Sequence, residues 1–207
     1  MLNQHPGGLT LTRQLIEYCN FKPGSKVLDI GCGTGTTVEY LASYGVQATG
    51  VDIAESRLQQ ARKKLPQLQL VYGDGHSLPF GKSCFDGVIA ECSMSLMHNQ
   101  AKVVREINRV LKPGGKLAIT DIYMPESQYA ASYYNKGYLT ELLQRQGFAV
   151  LRWEDCSQFL KEFAACYIME YGSFSGLCPL LESLQSKPGY FLLLVEKRQE
   201  GMKCIGE

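Results

Sequence analysis

The stretch Val27 to Thr37, "VLDIGCGTGTT", constrains this chain more than any other. A short apolar run meets glycines at positions 31, 33 and 35, and a helix-like segment, "TTVEYLASY" (36–44), follows. Glycine tolerates positive φ, so this turn can be tight and its backbone can approach a ligand closely. A strand feeding a helix through such a turn is half of a βαβ unit.

The rest of the chain continues that pattern. "KVLDI" (26–30), "VQATGVDI" (46–53), "LQLVYGD" (68–74), "CFDGVIA" (84–90) and "KLAITDIY" (116–123) read as strands. Between them, "SRLQQARKKL" (56–65) reads as a helix with Ser56 at its N-cap and Lys63 and Lys64 near its C-terminus. "KVVREINRVL" (102–111) reads as an amphipathic helix with Val103, Val104, Ile107, Val110 and Leu111 on one face, stopped by Pro113-Gly114-Gly115. Helices are expected at 138–148 and 157–171, and strands at 148–155 and 190–198. A further helix is expected over Leu9–Cys19, after the turn "HPGG". Strands alternating with helices predict an α/β fold with a mainly parallel sheet and helices on both faces. Ligands of such sheets sit at the C-terminal strand ends, here Asp29–Gly35, Asp52, Asp74, Glu91–Cys92 and Asp121–Tyr123.

Composition narrows the partners. With 21 basic against 20 acidic residues the net charge is +1, which gives no electrostatic case for nucleic acid or an anionic membrane. No apolar run reaches the roughly 18 residues of a spanning helix. The start, "MLNQHPGG", lacks the basic and apolar regions of a secretory signal, so a cytoplasmic location is expected. The eight cysteines form no CxxC pair, which argues against a zinc ribbon, and no metal site is expected. Most of these thiols read as small buried hydrophobes in a reducing compartment.

The glycine turn fits phosphate poorly. A dinucleotide fingerprint needs Gly or Ala where Thr36 stands, and a P-loop needs a lysine that is absent. Other features point to a nucleoside. Asp52 closes the second strand, where an acid can accept both ribose hydroxyl protons. Asp74, in "YGDGHSLPF", closes the third, where an adenine edge would lie.

In that order, "VLDIGCGTGTTVEYLA", "GVDIAESRL", "GDGHSLPF", "FDGVIAE" and "VVREINRVLKPGGKLAITD" resemble the successive motifs of class I S-adenosylmethionine-dependent methyltransferases. More narrowly they resemble the small-molecule branch that includes quinone-biosynthesis and arsenite methyltransferases. The match covers about residues 24–123, and 138–198 fits that fold's last helix and its antiparallel sixth and seventh strands. The resemblance implies a Rossmann-like seven-stranded, mostly parallel sheet with the last strand antiparallel. It implies a single domain over 1–207: a helical cap (1–23), a cofactor-binding core (24–123), a lid-like segment (124–137), the last helices and strands (138–198) and a tail (199–207).

It also implies roles for single residues. Asp29, Gly31, Cys32, Gly33 and Gly35 hold the methionine end of S-adenosylmethionine. Asp52 holds the ribose, Ile53 lies against the adenine, and Gly73, Asp74 and Gly75 flank it. Ala90 and Glu91 leave the fourth strand beside the sulfonium. The expected reaction is an in-line displacement onto a small-molecule acceptor by a monomer or homodimer. A protein nucleophile is not required, and a general base matters only when the acceptor starts protonated.

Glu91 and His98 are the candidates for acid–base work, and Cys92, Ser93, Tyr123 and Tyr133 for the acceptor side. The tyrosines at 123, 129, 133, 134 and 138 offer flat apolar faces with polar tips, suited to an aromatic or amphipathic acceptor. "AECS" departs from the Asn/Asp-Pro-Pro-aromatic turn of amino-methylating DNA enzymes. Cys92 stands where arsenite methyltransferases carry a metalloid-binding cysteine, yet 124–138 holds no second thiol. An accessory protein that binds the cofactor without turnover is the alternative, and arsenite methylation a weaker one.

Overall fold

The computed structural model describes residues 5–124, 135–172 and 188–199. Within them the chain runs α1 (Gly8–Cys19), β1 (Lys26–Ile30), α2 (Thr36–Ser43), β2 (Gln47–Asp52), α3 (Glu55–Lys64), β3 (Gln69–Tyr72), β4 (Phe85–Glu91), α4 (Gln100–Val110), β5 (Leu111–Tyr123), α5 (Lys136–Arg145), β6 (Phe148–Asp155), α6 (Ser157–Tyr171) and β7 (Gly189–Lys197). The strands form one seven-stranded sheet in the order β3-β2-β1-β4-β5-β7-β6. Neighbours from β3 to β5 are parallel, and β7 runs antiparallel to both β5 and β6. Only the last strand therefore runs against the rest. The strand order reverses between β1 and β4, so their C-terminal ends open the crevice where such folds take ligands.

Side chains alternate across each strand, which splits the core into two layers. On one face Leu28, Ile30, Val88, Ala90, Leu117 and Ile119 pack against Val103, Val104 and Ile107 of α4 and Leu139 and Leu143 of α5. On the other, Val27, Ile89, Ala118, Leu192 and Leu194 meet Leu11 and Leu15 of α1, Val38 and Leu41 of α2, Leu58 of α3 and Leu160 of α6. Burying one such aliphatic side chain contributes about 1.5–3 kcal/mol, so these layers supply the main driving force. Gly87 lets Phe21 lie flat on β4, because a Cβ there would come within 2.2 Å of the ring.

Local details depart from the sequence expectation. The N-cap of α3 is Ala54, not Ser56, which is the helix's second residue. No side chain caps α3; Asp52 Oδ1 accepts from the Ala54 N–H at 2.7 Å and so fixes the backbone just ahead of the helix. α4 begins earlier than expected because Asn99, in the left-handed region, caps it by accepting from the Lys102 N–H. Pro113-Gly114-Gly115 is not a break before β5 but a bulge within it, since pairing passes from Phe85↔Leu111 to Gly87↔Lys116. No helix among the described residues is long and apolar enough to cross a membrane.

Candidate active site

The turn after β1 is built by backbone bonds and by one carboxylate. Gly31 and Cys32 donate their N–H groups to the Val51 carbonyl at 2.8 and 3.1 Å, tying the turn to β2. Gly31, Gly33 and Gly35 all have positive φ. The Gly33 N–H donates to Asp52 Oδ2 at 2.8 Å. Asp52 thus stabilises both the turn and the start of α3, and it is buried. A Cβ on Gly33 would meet nothing within 4 Å, so the turn faces open space there.

That space is a cavity of about 540 Å³, within the range of small-molecule sites. Of the residues expected at the site, Asp29, Gly31, Cys32, Gly33, Glu91 and Cys92 line it. Thr34, Thr36, Thr37 and Arg57 line it too, and His5, Gly8 and Leu9 form the wall contributed by the chain's start.

Two carboxylates, Asp29 and Glu91, stand on this wall with threonine hydroxyls, His5 and the Arg57 guanidinium. Asp29 is buried, and no group among the described residues donates a hydrogen bond to its carboxylate. Burial, then the neighbouring charges of Glu91 and Asp52, push its pKa well above the usual carboxylate range. Glu91, at the end of β4, is held from two helices. Its Oε2 accepts from Thr37 Oγ1 at 2.8 Å and its Oε1 from Thr12 Oγ1 at 3.0 Å. His5 Nε2 lies 3.8 Å from Oε1. A buried acid without a donor, beside a second acid, is an incomplete arrangement that a cationic group would complete.

Other expected residues lie near this cavity without lining it. Ala90 is buried in the core on the opposite face of the sheet, so only its backbone is directed at the strand end. Gly35 packs over Leu68 and Leu70 at the start of α2. Ile53 is exposed just past β2. Gly73 donates to the Asp52 carbonyl, and Gly75 packs against Met97. Asp74 Oδ1 accepts from both the backbone N–H and the ring Nδ1 of His76, at 2.9 and 2.6 Å.

Several acceptor-side candidates are engaged elsewhere. Ser93 is buried and its hydroxyl donates to the Ile30 carbonyl at 2.8 Å, pinning β4 to β1. The Tyr123 hydroxyl donates to Asp155 Oδ2 at 2.8 Å, and its ring packs edge-on against Trp153 and Phe191. His98 is exposed, away from the cavity, and its carbonyl meets His76 Nε2. Tyr133, like Tyr129 and Tyr134, lies outside the described residues. Asp121 is buried and accepts from the N–H groups of Ser95 and Ile122 at 2.8 Å, and burial pushes its pKa to about 6. The Cys92 thiol does line the cavity, 2.9 Å from the hydroxyl of the wholly buried Tyr190. Cys92 also has positive φ (49°), uncommon for a residue with a side chain.

His5, Thr12 and Thr37, the partners of Glu91, were not among the residues expected at the site. His5 in the turn before α1 and Thr12 at a buried position of that helix were the available signal.

Residues 28–119 match the protein family described as methyltransferase domain. The chain is 30% identical over 216 residues to O-methyltransferase resE of Aspergillus sclerotiorum, covering 95% of this chain and 78% of that one. It is 29% identical over 217 residues to an O-methyltransferase of Pyrenophora dematioidea, covering 90% and 80%. Among solved structures, the [4+2]-cyclase SpnF superposes with a TM-score of 0.75 at 27% identity, covering 91% and 80%.

Proposed function

The chain belongs to the class I S-adenosylmethionine-dependent methyltransferase family and methylates a small molecule, and we propose that the receiving atom is a hydroxyl oxygen. The likeness to two O-methyltransferases supports the hydroxyl acceptor, and the Asp29–Glu91 pair at the end of the crevice supports the cofactor site. The cofactor brings an ammonium and a sulfonium, and the residues present fit both. Asp29 has a buried carboxylate without a donor, and the glycine turn leaves open space for a ligand's backbone-facing edge. When bound, the cofactor supplies a methyl group on a good leaving group.

In this reading Asp29 and Glu91 accept from the ammonium, with the backbone of Gly31, Cys32, Gly33, Gly35 and Ala90 alongside. Asp52 receives the ribose hydroxyls with the lone pairs left over from Gly33 and Ala54. Ile53, Gly73, Asp74 and Gly75 border the adenine. Cys92, at the cavity wall past Glu91, faces the acceptor. The protein's task is to hold the acceptor oxygen in line with the methyl and keep water out, and such alignment supplies about 7–11 kcal/mol of barrier reduction.

We read the whole chain as one domain that works as a monomer or homodimer in a reducing cytoplasm, without nucleic acid or membrane. The single sheet spanning Lys26 to Lys197, the near-neutral charge and the free thiols support this. A second reading, binding of the cofactor without methyl transfer, is favoured by the likeness to a cyclase.

One assay separates the two. The protein is incubated with S-adenosylmethionine and a panel of phenols, catechols and quinols, and S-adenosylhomocysteine is followed. Acceptor-dependent release supports oxygen methylation. Tight cofactor binding with no release across the panel favours the second reading, and no binding at all removes both.

A further inference from the structure

His5 sits on the turn that precedes α1 and forms part of the cavity wall. Its Nδ1 faces the Pro6 carbonyl at 3.1 Å. A carbonyl only accepts, so Nδ1 carries a hydrogen and Nε2 is the nitrogen left to gain or lose one. Nε2 lies 3.3 Å from Thr12 Oγ1 and 3.8 Å from Glu91 Oε1.

Thr12 is wholly buried and has one hydroxyl proton. Its oxygen lies within reach of His5 Nε2, both Glu91 oxygens at 3.0 and 3.3 Å, and the Gly8 carbonyl at 3.2 Å. The Thr12 hydroxyl gives its one proton to Glu91 Oε1, which leaves the single lone pair of a bare Nε2 for an incoming hydroxyl. With Nε2 protonated, the ring can donate to Thr12 Oγ1 while that hydroxyl stays on Glu91. Neither state of the ring needs a heavy atom to move. Glu91 is the charged group beside the ring, and Asp29 lies beyond Glu91. Such surroundings suit a group that takes up a proton during a reaction.

We propose that His5 is the general base of the methyl transfer, accepting the proton of the acceptor's hydroxyl at Nε2, with Thr12 and Glu91 steadying the imidazolium. This rests on the methyltransferase reading above. The acceptor oxygen forms its bond to the methyl carbon, the carbon–sulfur bond breaks with its electrons returning to sulfur, and the hydroxyl proton passes to His5. The positive charge that leaves sulfur reappears on the imidazolium, so the pocket's net charge is unchanged beside the same two acids.

The chain has three histidines, so ring nitrogens labelled with ¹⁵N are assigned with single His→Gln variants. Spectra are taken with S-adenosylmethionine and with S-adenosylhomocysteine, which differ by the methyl and its charge. The proposal expects the Nδ1–H form with Nε2 bare in the S-adenosylmethionine complex. It also expects an Nε2 resonance displaced between the two complexes more than those of His76 and His98. Nε2 found protonated in the S-adenosylmethionine complex, or unchanged between the ligands, would overturn it.

Turnover gives a second readout. His5→Gln is expected to lower kcat about 100-fold or more on a hydroxyl acceptor. Its affinity for S-adenosylhomocysteine should stay within about twofold, and imidazole should restore part of the activity of His5→Ala. Equal loss of affinity and rate would assign His5 to closing the cofactor site and overturn the base. Failure of the unaltered protein to bind either ligand is a separate result, and it removes the methyltransferase reading itself.

Discussion

Thr37 Oγ1 donates to Glu91 Oε2 at 2.8 Å, and so binds the first turn of α2 to the end of β4 across the mouth of the crevice. Thr12 holds the other oxygen of the same carboxylate from α1. Glu91 is thus a junction of three elements as well as part of the cavity wall. Thr37→Val keeps the shape and removes one donor from a nearly buried carboxylate. Stability is expected to fall by about 1–3 kcal/mol, read as a lower melting temperature. S-adenosylhomocysteine affinity should fall with it, because the freed carboxylate loses its orientation. Unchanged melting and affinity would show that the bond does not hold the site.

Burial makes the Asp29 carboxyl costly to ionise. Its folded pKa is raised by burial, then by Glu91 and Asp52. A carboxyl raised above its unfolded value contributes stability below that value, and the contribution is lost as pH rises through the folded pKa. Raising the pH is therefore expected to destabilise the ligand-free protein through this group. Asp29→Asn is expected to melt higher than wild type without ligand and to bind S-adenosylhomocysteine at least about tenfold more weakly. Thermal scans with and without ligand check both signs, and an Asn variant that melts lower and binds equally well would contradict the assignment.

The strands were legible because apolar runs ending in glycine or acid mark them directly. Val27, Leu28 and Ile30 behave as that pattern requires, and so does the α4 face at Val103, Val104 and Ile107. The fates of the polar groups at the strand ends were not legible. Ser93 bonds to Ile30, Tyr123 to Asp155 and Thr12 to Glu91, pairs separated by 63, 32 and 79 positions. Which of these meet depends on the order of strands and the docking of α1, which no local spacing encodes. Ser56 misled for a local reason: the helix starts one residue ahead of it, at Glu55, after Asp52 fixes the Ala54 backbone.

Asp52 supports the glycine turn while facing the proposed ribose. Asp52→Asn keeps one acceptor oxygen and replaces the other with a donor, so either the Gly33 or the Ala54 bond is lost. Bonds to a charged acceptor contribute about 1.5–3 kcal/mol, which predicts roughly 10- to 150-fold weaker S-adenosylhomocysteine binding by calorimetry. The far-ultraviolet circular dichroism should be unchanged, because the sheet does not depend on this side chain. Full affinity in the variant would remove Asp52 from the ribose site.

Asp74 and His76 titrate as a pair. The His98 carbonyl, then Asp74, raise the His76 pKa, and the His76 backbone N–H, then its ring, lower that of Asp74. A histidine raised in the folded state contributes stability that is full below its unfolded value of about 6.5 and lost as pH rises through the folded pKa. Proton NMR should place the His76 midpoint above that value, and Asp74→Asn should lower it. A midpoint unmoved by Asp74→Asn would show that the carbonyl alone sets it.

Cys92 tests whether the crevice has any metalloid chemistry. Its thiol is occupied by the Tyr190 hydroxyl at 2.9 Å. Among the described residues, no group of three or more His, Cys, Asp or Glu side chains is arranged to hold a metal ion. Trivalent arsenic is held by several thiolates together, and one thiol supplies little of that. Arsenite titration is therefore expected to give equal and negligible binding for wild type and Cys92→Ser, while both retain S-adenosylhomocysteine affinity. Stoichiometric arsenite binding lost in Cys92→Ser would instead bring a second thiol from elsewhere in the chain to the acceptor side, and would replace the hydroxyl acceptor with a metalloid.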